Sequence, residues 1–142
     1  FLVNTYTTSP QGYPSVAMDT SGNFVVAWQS NLQDGSLYGV YAQRYDSAGN
    51  ILSSEFIVNT YTTNDQTYPS VAASALLDGT YHYAVAWSGS VSATETSGIA
   101  GALFGAGQTA SPAPTTLIYA FISAGTLFFL RRRRKRNTAT KE

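Results

Sequence analysis

The sequence predicts an all-β chain of antiparallel four-stranded meander repeats, followed by a single C-terminal transmembrane helix. Three observations carry this expectation. Residues 1–17 (FLVNTYTTSPQGYPSVA) align without a gap to residues 56–72 (FIVNTYTTNDQTYPSVA), matching at 13 of 17 positions with a period of 55. Each copy is filled by short β-rich runs separated by turn signals. Near the end of the chain an uncharged apolar run is followed at once by RRRRKR.

The first copy is read from its turns. Strands are expected at residues 15–19, 23–30, 38–46 and 51–59, because apolar and β-branched runs alternate there with Gly, Asn, Asp and Ser. Asp19-Thr20-Ser21-Gly22-Asn23 and Asp46-Ser47-Ala48-Gly49-Asn50 each place a short polar side chain at the turn start and glycine where a positive φ is needed, so both predict hairpins. The second copy keeps the register after a four-residue insertion: Val25-Val26-Ala27-Trp28 returns as Ala84-Val85-Ala86-Trp87, and Gly39-Val40-Tyr41-Ala42 returns as Gly98-Ile99-Ala100-Gly101. A repeat of about 50 residues with four strands has the size of a propeller blade, whose faces are buried by neighbouring blades. Two units cannot close such a ring, so the propeller is expected to be incomplete, the chain to be a fragment or processed product, and residues 1–5 to be the outer strand of a preceding unit. The competing architecture is a small sandwich of two meanders packed face to face.

VNTYTT, YPSVA, VVAWQS, QDGS, YGVYAQRYD and SEFIVN together resemble the tandem repeats of large secreted or surface-displayed bacterial proteins. The resemblance covers residues 1 to about 90 and weakens in the second copy, where ATETSG replaces QDGS. It implies a propeller-like fold serving display and adhesion to an extracellular protein or glycan, and it carries no active-site residues.

The chain divides into a β-repeat region (1–104), a Gly/Ala/Ser/Pro linker (105–114), a transmembrane helix (115–130) and a basic tail (131–142). Leu117, Ile118, Phe121, Ile122, Leu127, Phe128, Phe129 and Leu130 are the expected anchor residues, and Arg131, Arg132, Arg133, Arg134, Lys135 and Arg136 the stop-transfer cluster. The formal net charge of zero conceals a split: residues 1–110 carry seven acids against Arg44 alone, a net −6, and the last twelve residues carry a net +6. Cations directly abutting an apolar run fit anionic headgroups and a cytoplasmic end better than a nucleic-acid arm. The expected partner is therefore the lipid bilayer, with the chain single-pass in the cell membrane and the β domain outside. Ser111-Pro112-Ala113-Pro114, the short apolar helix and the arginine cluster resemble the bacterial PEP-CTERM sorting signal, with alanine where that family has glutamate. The resemblance implies a sorting transpeptidase as a partner; a simple anchor is the preferred expectation.

Candidate chemistry is sparse. The absence of cysteine excludes a disulfide scaffold and a cysteine-ligated metal. His82, the single histidine, lies in a strand and reads as an ordinary sheet residue. Asp19, Asp46 and Asp78 read as turn caps; calcium at the two Asp-Asn loops is the only cofactor considered, and neither loop has the alternating acids of an EF-hand. Trp28 and Trp87 share one repeat position, as do Tyr13-Pro14 and Tyr68-Pro69, which points to core packing. Ligand contact is expected in unrepeated loops such as residues 31–36. The chain is thus read as a non-enzymatic surface repeat domain; the alternative is the membrane-proximal part of a propeller glycosidase whose carboxylates lie in other blades. Replacing the six cations of residues 131–136 by serine is expected to let a fraction of chains cross the membrane completely. A C-terminal tag that becomes protease-accessible on intact cells reports this, and a tag that stays fully protected would show that charge does not set the orientation.

Overall fold

The computed structural model describes residues 1–75, 81–105 and 117–120, with strands, turns and irregular segments and no helix among them. Two antiparallel four-stranded sheets result. The first runs in the order β1 (Gln11–Met18), β2 (Phe24–Asn31), β3 (Tyr38–Tyr45) and β4 (Phe56–Ile57). The second runs β5 (Gln66–Ala75), β6 (Tyr81–Gly89), β7 (Gly98–Gly105) and β8 (Leu117–Ala120).

Strand pairing repeats as the sequence does. Gln11 opposite Ser30 becomes Gln66 opposite Gly89, and Trp28 opposite Tyr41 becomes Trp87 opposite Ala100. The insertion in the second copy lengthens the β5–β6 hairpin by two pairs, Ser74 with His82 and Ala75 with Tyr81. Both expected Asp-Asn hairpins form, and in the same way. Asp19 Oδ1 accepts from the N–H of Ser21 (2.8 Å) and Asn23 (3.0 Å), while Gly22 sits at φ 84°. Asp46 Oδ1 accepts from Ala48 (2.9 Å) and Asn50 (2.8 Å), with Gly49 at φ 85°. In each turn the asparagine amide donates to the other carboxylate oxygen.

Two strand boundaries depart from the sequence reading. β1 starts at Gln11 rather than Ser15, because a bulge between Gly12 and Ser15 absorbs Pro14, which has no N–H for the ladder. Tyr13 carries the strain at φ 51°, and Tyr68 repeats it at φ 55° beside the equivalent bulge between Thr67 and Ser70. The strand expected at 51–59 is reduced to a single bridge of Ile51 with Tyr45 and the two pairs of β4, beyond which the Asn59 side chain takes over from the backbone: Val40 N–H donates to Asn59 Oδ1 at 2.7 Å.

The sheets pack through opposite faces of the repeat. The first sheet presents small side chains, Val25, Ala27, Val40 and Ala42, and the second covers them with Tyr83, Val85, Trp87 and Phe104. Repeat-equivalent large residues on the other side of the first sheet, Phe24, Val26, Trp28 and Tyr45, face residues 1–4 instead: the Phe1 ring lies 5.2 Å from Tyr45, as Phe56 lies 5.4 Å from Phe104. Residues 1–5 form no strand themselves, yet they occupy the place on the first unit that residues 56–60 occupy on the second.

Trp28 and Trp87 are each 3% exposed, one beneath residues 3–4 and one between the sheets. Trp28→Ala and Trp87→Ala are each expected to cost about 3–5 kcal/mol. Urea midpoints measure this, and unchanged midpoints would contradict the packing described.

Candidate functional site

Three features compete for the role of a site. The first is the loop joining β2 to β3, the unrepeated segment in which ligand contact is expected. It is held from inside: Ser30 Oγ donates to Gln33 Oε1 (2.6 Å), Gln33 Nε2 donates to Glu55 Oε1, and Leu32 N–H donates to the Leu37 carbonyl (2.7 Å). Glu55 Oε2 accepts from the N–H (2.7 Å) and hydroxyl (2.9 Å) of Thr5. Glu55 therefore ties the N-terminal segment to the loop. Asp34 sits over Gly39, where an added Cβ would meet its Oδ2 at 2.6 Å. Burial above all, and then Asp34, Glu55 and Tyr6, push the Tyr41 phenol up to about 12. A neutral phenol beside two carboxylates, with Glu55 engaged on both oxygens, is shifted in the direction opposite to that of an activated nucleophile.

The second feature is Tyr13 and Tyr68, whose rings meet edge to face at 4.8 Å while both side chains stay more than half exposed. Strained backbone holding exposed aromatics is an arrangement suited to contact with a ligand. The third is the outward face of the second sheet, a shallow apolar depression bounded by Ser70, Ala72, Ala86, Ile99, Gly101 and Leu103. Ile99 is 52% exposed there, whereas its repeat equivalent Val40 is 0% exposed.

The sequence-derived site residues fall as follows. Leu117 and Ile118 lie in β8, paired with Ala102 and Gly101 of β7. Phe121, Ile122, Leu127, Phe128, Phe129, Leu130 and the cations Arg131 to Arg136 lie outside the described residues, as does Asp78. Among the described residues no helix is long and apolar enough to cross a membrane. His82 lies in β6 opposite Ser74 and Gly105. No group of three or more His, Asp or Glu that could hold a metal occurs among the described residues, and the Asp19 and Asp46 carboxylates accept from their own turns. Those donors, the Asn50 side chain first, hold the Asp46 carboxyl below its ordinary range. Glu55 and the paired asparagines Asn4 and Asn59, each donating to a carbonyl two residues on, were not singled out from the sequence. The recurrence of the two asparagines in VNTYTT is a signal for them, and Glu55 lies outside that motif.

Comparison with family models, with curated proteins and with solved structures finds no match to this chain.

The tyrosines make the fold alkali-sensitive. Tyr41, and in the same direction Tyr45 and Tyr83, lose their protons at higher pH folded than unfolded, chiefly through burial. The unfolded chain ionises first, near 10, so this contribution to stability is complete below about pH 10 and is lost as pH rises toward 12. Urea midpoints recorded from pH 8 to 12 are expected to fall above 10, with a shallower fall in Tyr41→Phe; the same slope in both proteins would remove Tyr41 as a cause.

Proposed function

We propose that this chain is a membrane-anchored, extracytoplasmic β-repeat domain of propeller-blade type, serving display and adhesion at a cell surface. The observation that carries the anchor is the run at 115–130, sixteen residues without a charge, abutting six consecutive cations and joined to a body of net −6. A helix over that run is about 24 Å long, and uncharged residues continue upstream of it toward the roughly 30 Å of a hydrocarbon core. The blade reading is supported by how the units meet. Equivalent strands face one another, with Val71 N–H of β5 donating to Ser15 Oγ of β1 at 3.1 Å, and each unit offers a different face to its neighbour. A two-fold sandwich would use the same face twice.

The anchor and β8 are alternative placements of one segment. With residues 117–120 on β7, only ten uncharged residues remain before Arg131, about 15 Å of helix and too short to span. The membrane reading thus requires that β8 leave the sheet. Outside the bilayer, the Tyr13–Tyr68 pair is the surface through which the domain meets its ligand, an extracellular protein or glycan.

Protease treatment of intact cells carrying tags at both ends checks the topology. Loss of the N-terminal tag with retention of the C-terminal one is expected. Recovery of the intact chain in the soluble fraction would leave residues 117–120 on β7 and end the anchor reading.

A further inference from the structure

We propose that the outward face and outer edge of the second unit bind residues 1–4 and the adjoining face of the first unit in another copy of this chain, so that copies stack head to tail. This rests on the membrane reading, which draws residues 117–120 away from β7 and opens that edge.

The existing interface between the units supplies the template. Within the first unit, Phe56, Ile57, Val58 and Asn59 lie along β3: Ile57 pairs with Tyr41, Val58 N–H donates to the Val40 carbonyl (2.7 Å), and Asn59 Oδ1 accepts from Val40 N–H (2.7 Å). In the second unit the strand equivalent to β3 is β7, with Ile99 at the place of Val40. The chain holds one further copy of this motif, Phe1-Leu2-Val3-Asn4 against Phe56-Ile57-Val58-Asn59, differing only by leucine for isoleucine. Asn4 already makes the bond to Tyr6 that Asn59 makes to Tyr61, so the segment is set in the required conformation.

Register and shape then agree. Placed on β7 of a neighbour, Leu2 falls opposite Ala100, Val3 N–H reaches the Ile99 carbonyl, and Asn4 Oδ1 receives Ile99 N–H. The faces behind the strands are complementary in the sense already used inside the chain, with large Trp28 and Val26 meeting small Ala86 and Ala72. Val16 is 61% and Met18 62% exposed, and both would be covered, as their equivalents Val71 and Ala73 are against the first sheet. Because the two surfaces differ, the contact is heterologous and propagates.

The absence of native cysteine permits a direct test. Opposed residues in an antiparallel pair have Cα atoms about 4.5–5.5 Å apart, within disulfide range. Val3→Cys and Ile99→Cys versions of the 142-residue chain, purified in mild detergent, are mixed under gentle oxidation. A reducible dimer at least ten-fold stronger in the mixture than in either variant alone is expected, and the double variant V3C/I99C should give a ladder. Equal dimer in the single variants, or none in the mixture, overturns the proposal; Ile99→Glu in the otherwise unchanged chain is expected to remove the assembly seen by light scattering, and assembly that persists in it overturns the proposal as well. Alkaline extraction of membranes from the same cells tests the anchor separately: chains that resist extraction without cross-linking overturn the stacking and leave the anchor, and chains that extract freely without cross-linking overturn the anchor and, with residues 117–120 kept on β7, the stacking as well.

Discussion

The structure depends on a repeat whose two faces are unlike. One face of each unit is built from small side chains, Val25, Ala27, Val40 and Ala42 in the first, and the other from large ones, Tyr83, Val85, Trp87 and Phe104 in the second. Close packing rewards the meeting of large with small and penalises large with large, so the order in which units follow one another is set by volume before any polar contact forms. The polar contacts that do cross the interface refine the fit: Tyr83 donates to Asp19 Oδ2 at 3.4 Å, Arg44 lies 5.7 Å from the Tyr83 ring, and Tyr68 N–H donates to Gln29 Oε1 at 3.2 Å.

Register carries this asymmetry faithfully because side chains alternate across a strand, and a slip of one residue would exchange the faces. The chain guards against slipping with aspartate-led hairpins, in which one carboxylate oxygen receives two backbone N–H groups and the other the asparagine amide. At the strand starts the guard is different. The bulges at Tyr13 and Tyr68 move Pro14 and Pro69 out of the ladder, and their strain is sustained by the surrounding pairs at Gln11 and Gln66.

Turn chemistry and repetition made much of this legible in the sequence. Asp19 to Asn23 and Asp46 to Asn50 announce their geometry within five residues, and the recurrence of Trp28 as Trp87 identifies a packing position without knowledge of its partner. What was illegible depends on distance along the chain. Glu55 gains its role from Thr5, fifty residues away, and β4 shortens because Asn59 reaches back to Val40. The start of β1 was hidden because a proline inside a strand reads as its boundary unless a bulge is known to absorb it. The faces themselves were hidden for a further reason: alternation separates inside from outside, whereas here both sides of a strand are covered, and only cross-strand register distinguishes them.

The outward face of the second unit departs from its equivalent on the first in two ways. Val25, Gln29 and Ala42 become the smaller Ala84, Ser88 and Gly101, so a neighbouring backbone can come closer when the face is covered, while Val40 and Arg44 become the apolar Ile99 and Leu103. A repeat that caps a stack ordinarily has a polar outer surface. Here Ile99 and Leu103 make the outward face apolar, and Leu103 stands where the first unit has Arg44. Solubility at this end is therefore not supplied by side-chain charge on the sheet, and the nearest cations in sequence are those that follow residue 130. On the proposed membrane reading those cations would hold such a face at a fixed distance from the bilayer, where its apolar area would meet other copies at a concentration set by two dimensions, raising the frequency of encounter without any new contact.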